Sequence, residues 1–215
     1  MNSVLFENDD VLVVDKPEGL VVIPQRDRAA GSLVESLSAH RGEKLYVVHR
    51  IDKDTSGVIV FAKDAQTHRH LNRQFEARVV EKAYLALVHG VMADDTGLID
   101  EPLRQFGSGR VAVDPERGKP SLTEFRVLER FASHTLVEAY PKTGRRHQIR
   151  VHLYSLGHPI VGDSLYGDKT IQRTYPRLML HAQRLRLTLP SNESLMVEAP
   201  IPESFCAVLN AAARS

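Results

Sequence analysis

One cysteine, Cys206, stands in 215 residues. A single thiol closes no internal disulfide and builds no cysteine-based zinc site, so the expected home is a reducing compartment. No apolar run approaches the roughly 20 residues needed to span a bilayer. The opening MNSVLFENDD turns acidic before any apolar stretch accumulates, which is not the pattern of a secretory leader. The expectation is a cytoplasmic protein with no membrane partner. Charge of one sign is missing too: 28 Lys plus Arg face 27 Asp plus Glu, a net charge of +1. That balance excludes a uniformly basic nucleic-acid binder but not one with a basic face, so local distribution matters more. There is no internal repeat, low-complexity tract or long linker, and the length suits one domain.

What is present reads as many strands and few helices. VLVVDKPEGLVVIP (11–24) predicts a strand, a turn at Pro17-Glu18-Gly19 and a second short strand. Ser32 three residues before Glu35 predicts a capping box, and Gly42 a helix stop. Strands are expected at 45–49 and 57–63. A helix is expected over 65–78, with Asp64 as N-cap, Leu71 and Phe75 inward, and Arg69 and Arg73 outward. Further strands are expected at 82–90, 124–131 and 134–140, with a loop or hairpin over 103–120. GRRHQIRVHLYSLG (144–157) predicts a helix with Ile149, Leu153 and Leu156 on its core face and Gly157 as its stop. Leu185, Leu187 and Leu189 alternate with polar residues as a half-exposed strand does, and a short helix closes the chain at 203–213. The fold class expected is α+β, with a mixed, mostly antiparallel central sheet flanked by helices.

Two stretches carry chemistry. In VVHRIDKDTSGVIVFAK (47–63) apolar segments flank His49, Arg50, Asp52, Lys53 and Asp54. Asp52 and Asp54 are candidates for nucleophile, general base or general acid. Against that, charged residues commonly do no more than solvate a turn between strands, and a lone His49 is more often structural. In YPKTGRRHQIRVH (140–152), Lys142, Arg145, Arg146 and Arg150 fall within nine positions, beside His147 and His152 and with no acid. A Thr-Gly entry to a helix, with bases beside it, suits a phosphate; a solvated basic helix start is the plainer alternative. The histidines lack the spacing of a zinc protease, so no metal is expected. RGKPS (117–121) lacks the first glycine and the Ser/Thr of a phosphate-binding loop.

Together these blocks resemble the RluA-type RNA pseudouridine synthases. HRIDKDTSG (49–57) is similar to that family's catalytic block, HRLDxxTSG. DDVLVVDKPEGLVV (9–22) resembles its first motif, EKAYLALVHG (81–90) its tyrosine motif, and TGRRHQIRVH (143–152), followed by GHPIVGDSLYG, its third. The blocks stand in family order and run from about Val4 to Pro200. The resemblance implies a pseudouridine-synthase fold with a central active-site cleft, a single catalytic domain over 1–215, and action on uridines of tRNA or large-subunit rRNA as a monomer without a cofactor. It implies that Asp52, rather than Asp54, is the catalytic carboxylate. Tyr84 matches the tyrosine that stacks on the target base, Arg150 the arginine paired with the aspartate, and Arg50 the residue that enters the RNA stack. Lys142, Arg145, Arg146 and His147 are expected to contact the RNA. Ile51 replaces the usual leucine, and Arg146 stands where Thr or Ser is usual. The start of the chain, close to the first motif, sets the expectation of no N-terminal S4-like domain. The competing readings are a nucleoside or glycoside hydrolase using Asp52 and Asp54, and an RNA-binding module without catalysis.

Overall fold

The computed structural model describes residues 3–24 and 31–214. The chain divides into two compact units, Met1–Lys82 with Ala182–Pro200, and Ala83–His181 with Ile201–Ser215.

The first unit is built on β2 (Val11–Lys16), flanked by β1 (Ser3–Glu7) and β4 (Ser56–Ala62) in antiparallel register. VLVV of β2 and SGVIVFA of β4 are buried along their whole length, the continuous apolar reading of strands covered on both faces. A two-residue strand, β3 (Tyr46–Val47), also pairs with β4. Two helices belong here. α1 (Leu33–Arg41) starts from the expected box, with Ser32 Oγ accepting from Glu35 N and Glu35 Oε2 accepting from Ser32 N, and ends on Gly42 at φ 69°. α2 (Ala65–Ala77) is capped by Asp64, which accepts from Gln66 N and Thr67 N. Its Leu71 is fully buried and Phe75 packs on the same core, whereas Arg69 and Arg73 are exposed, as the helical period requires.

β11 (Leu180–Thr188) and β12 (Ser194–Glu198) complete this unit as an antiparallel pair, Leu180 and His181 belonging to the second unit. Leu185, Leu187 and Leu189 are buried, as their alternation predicts. Gln74 of α2 seals the strand end by donating to Thr188 O at 2.7 Å and accepting from Thr188 N at 2.9 Å. Gly57, at φ 114°, is required: a Cβ there would lie 2.1 Å from Ala182 O.

The second unit centres on the antiparallel series β5 (Glu81–His89), β10 (His134–Pro141), β9 (Leu122–Arg130) and β6 (Thr96–Asp100). Residues 103–113 form a hairpin, β7 (Leu103–Gln105) with β8 (Val111–Val113). Three helices complete the unit: α3 (Gln148–Ser155), the short α4 (Lys169–Gln172) and the closing α5 (Glu203–Ala212), whose Phe205 is fully buried.

The structure corrects three expectations. No second strand forms at 20–24; the carbonyls of Val21 and Val22 instead accept from Leu33 N and Val34 N at the start of α1. α3 begins at Gln148 rather than at 144, because the Gln148 side chain accepts from Thr143 Oγ1 at 2.6 Å and Arg145 N at 3.0 Å, holding the entry out of the helix. Leu156 is 44% exposed rather than on the core face.

Candidate active site

In the first unit, Asp52 sits in the turn that leads into β4, where Thr55 N donates to Asp52 O at 3.2 Å. The backbone of this turn is gripped from inside the protein. Lys16, the last residue of β2, is fully buried and spends its three ammonium protons on Pro17 O (2.8 Å), Leu20 O (2.8 Å) and Lys53 O (2.9 Å). One cation therefore ties the Pro-Glu-Gly turn to the peptide that follows Asp52. Three carbonyl dipoles are a solution to burying an ammonium that would otherwise be costly. Of the side chains in this turn, Arg50 and Lys53 are exposed, and Asp52 and Asp54 are half-buried. Thr55 and Ser56 are buried behind them.

His49 is structural. Its Nε2 accepts from Val60 N at 3.1 Å and its ring stacks on Phe75 with centroids 4.8 Å apart. Burial, with the Lys82 charge in support, pushes its pKa down to about 3, so the ring is neutral at any working pH. Lys82 itself is pulled down to about 8 by burial.

Tyr84 lies in the second unit, half-buried against its core and opposite Ala139 of β10. Arg150, on α3, is 3% exposed and makes a two-pronged ion pair: Nε to Asp163 Oδ2 and Nη2 to Asp163 Oδ1, both at 2.7 Å. Asp163 Oδ1 also accepts from Leu165 N and Tyr166 N, which fixes the turn carrying Tyr166. The Tyr166 ring centroid lies 5.2 Å from the Arg150 guanidinium, and its hydroxyl bonds His147 Nδ1 at 2.9 Å and accepts from Val111 N at 3.1 Å. His147, expected to reach RNA, is thus 8% exposed with its ring on a tyrosine. Of the remaining basic residues, Arg146 is exposed, Lys142 pairs with Glu124 at 2.7 Å, and Arg145 Nε donates to Pro120 O at 3.4 Å.

Lys16 and Asp163 had no role assigned on sequence grounds. Their signals were there in retrospect: a lone lysine ending a run of buried residues, and an aspartate inside the GHPIVGDSLYG block that follows the basic segment.

A family model described as RNA pseudouridylate synthase matches residues 10–155. The chain is 40% identical over 225 residues to ribosomal large subunit pseudouridine synthase D of Nitrosomonas europaea, and 42% identical over 211 residues to ribosomal large subunit pseudouridine synthase C of Vibrio vulnificus. These alignments cover 97% and 94% of this chain but 64% and 66% of the relatives, so the chain spans about two thirds of their length. Among solved structures, human RNA pseudouridylate synthase domain containing 1 superposes with a TM-score of 0.81 at 32% identity, covering 94% of this chain and 84% of that one. The chain belongs to the RNA pseudouridylate synthase family.

Membership accounts for the α+β fold, and the matched range runs across the stretches quoted above up to residue 155. The two charged stretches differ in the way each is held. The Asp52 turn is fixed through its backbone, and the Arg150 segment through its side chains. No helix among the described residues is long and apolar enough to cross a membrane.

Proposed function

We propose that the chain isomerises uridine in RNA to pseudouridine, with Asp52 as the catalytic carboxylate. The reaction breaks the N1–C1′ bond, turns the uracil and joins C5 to C1′. Nothing is oxidised and no group is imported, so the reading needs no cofactor. Breaking a glycosidic bond calls for a carboxylate able to attack, or to stabilise charge at, the sugar or base. The observation that carries this assignment is the Asp52 turn itself. Its backbone is clamped by Lys16 while the Asp52 side chain stays half-buried, the combination that positions a reacting group without using it for packing.

Arg150 is proposed to keep Asp52 ionised. A carboxylate with a guanidinium beside it stays charged in a partly dry site, where it would otherwise drift toward the neutral acid. Tyr84 is proposed to stack on the uracil. Unstacking a uridine costs a few kcal/mol, and a base on an aromatic ring returns about 1–3 kcal/mol. Arg50, exposed beside Asp52, would fill the gap left in the RNA, and Lys142, Arg145 and Arg146 would meet its backbone. The printed names of the relatives make large-subunit ribosomal RNA the first substrate to test, with tRNA as the second. A cytoplasmic monomer is the working form proposed.

The test is direct. Purified protein is incubated with large-subunit rRNA and with bulk tRNA, and pseudouridine is quantified by mass spectrometry of digested RNA. Wild type should form pseudouridine. Asp52→Asn should form none and still bind RNA. Turnover by Asp52→Asn at the wild-type rate would overturn the assignment. Release of free base from nucleosides would favour a hydrolase using Asp52 and Asp54 instead.

A further inference from the structure

The β7–β8 hairpin packs on α3 and borders an open cleft of about 490 Å³ that the mechanism above does not use. We propose that this cleft is a second nucleotide site, taking one unstacked base of the bound RNA away from the target uridine, with that nucleotide's phosphate held by Arg110 and Arg146. The inference rests on the reading of RNA as the substrate.

The floor is a small packed core of Leu103, Val111, Val151 and Tyr166, so the hairpin is seated on α3 through buried contacts. Above it, Phe106 and Tyr154 line the cleft yet remain 40% and 45% exposed. Two large aromatic side chains left partly in water along one cleft form a stacking surface. The volume falls in the range of small-molecule sites, about 300–1,000 Å³.

The rim decides the class of occupant. Arg110 lines the cleft, with its guanidinium 5.8 Å from the Tyr166 ring and Nη2 fixed on Leu165 O at 2.9 Å. A Cβ on Gly109 would lie 3.9 Å from Arg146 Nη2, so Arg146 reaches the hairpin tip. Arg104 stands 5.1 Å from the Phe106 ring but is paired with Asp114 at 3.1 Å, which leaves Arg110 and Arg146 as the phosphate-binding pair. Aromatic faces with guanidinium groups at the edge match a planar base attached to a phosphate. An aliphatic peptide or lipid tail would make no use of the arginines. Tyr166 forms one wall and also stands against Arg150, so an occupied pocket would buttress the ring beside that arginine.

The test separates this site from the isomerase reading. Nitrogen-15-labelled protein is titrated with adenosine 5′-monophosphate and, separately, with inorganic phosphate. The nucleotide should shift the amide signals of 106–113 and 151–155; phosphate alone should not. Phe106→Ala combined with Tyr154→Ala, both at exposed positions, should abolish those shifts. The same double variant should raise the KM for rRNA about tenfold, the loss expected for one stacked base, with kcat at saturating RNA retained. Equal shifts with phosphate alone, unmoved signals with the nucleotide, or a double variant with wild-type KM would each overturn the second site. The titration reads binding and needs no turnover. Failure to form pseudouridine would sink the isomerase reading alone, and a silent cleft in an active enzyme would sink only this one.

Discussion

HRIDKDTSG mixes acids with bases and TGRRHQIRVH carries bases alone, and the two are built in opposite ways. In the first, Arg50 and Lys53 are exposed and Asp52 half-buried, while the backbone is secured by Lys16 from another strand. In the second, Thr143, His147, Gln148, Arg150 and His152 are all buried, and their side chains carry the bonds: Gln148 to Thr143, Thr123 and Leu122 O, His152 to Thr123 and Glu101 O, Arg150 to Asp163. The first is held chiefly through its backbone and the second through its side chains. Substitutions at the buried positions of the second should therefore damage fold and function together.

The largest effect should follow from breaking the buried pair. Arg150→Ala leaves Asp163 charged with 0% of its side chain exposed, a loss of about 3–5 kcal/mol, measurable by urea unfolding. Arg150→Lys should recover little, because an ammonium cannot reproduce the two-pronged contact. Arg150→Met with Asp163→Asn, whose amide oxygen still accepts from Leu165 N and Tyr166 N, should recover part of the stability and none of the activity. If the double variant were active, Arg150 would be structural only, and the contrast between the segments would lose its functional half.

Lys16→Met tests the other segment. It removes one donor from each of three carbonyls, a loss of about 3 kcal/mol. Because Lys53 O is one of them, the Asp52 turn should loosen, lowering kcat while RNA binding survives. Wild-type stability and kcat in this variant would show that the turn is held by something else.

A smaller effect should appear with pH. His49 is neutral in the folded protein down to about pH 3, whereas in the unfolded chain it takes up a proton near 6.5. Below 6.5 the unfolded state therefore binds more protons, and stability falls as pH drops, by about 1.4 kcal/mol per pH unit until about pH 3. His134 and His152, also lowered by burial, act in the same direction. Glu7 and Asp64, whose carboxyls are lowered by their hydrogen bonds, add to the loss only at the acidic end. His49→Gln keeps an acceptor for Val60 N–H and should flatten the slope between pH 4.5 and 6.5 relative to wild type. An unchanged slope would place the titration elsewhere.

How much of this could be read from the residues depends on how far apart the partners lie in sequence. The caps of α1 and α2 are local, three residues across, and were legible. So were the alternation of β11 and the strands β9 and β10. The missed second strand at 20–24 was lost to a distant competitor: its carbonyls serve the N-terminus of α1. The late start of α3 comes from one glutamine side chain, and nothing in GRRHQIR, a run of adequate helix formers, announces it. β1, β6, β12 and the four-residue α4 are short elements carrying little periodic signal. At the site, the charged blocks were readable while the groups that hold them were not. Lys16 lies 37 positions from Lys53, and Asp163 lies 13 from Arg150.

The smallest effects should come from the exposed bases, and they can still rank the RNA contacts. Arg146 is exposed, whereas Lys142 has Glu124 at 2.7 Å, so part of its charge is already neutralised. Each phosphate contact releases counterions on binding, and losing one lowers the slope of log affinity against log salt by about 0.7–1. Arg146→Ala should give nearly that full reduction, and Lys142→Ala a smaller one. Both should leave stability within about 0.5 kcal/mol of wild type, as surface substitutions do. Glu124→Gln should then steepen the salt dependence by freeing Lys142, a change of opposite sign in the same assay. If Lys142→Ala matched or exceeded Arg146→Ala, the RNA backbone would displace Glu124 on binding, and the ion pair would be a gate for that contact.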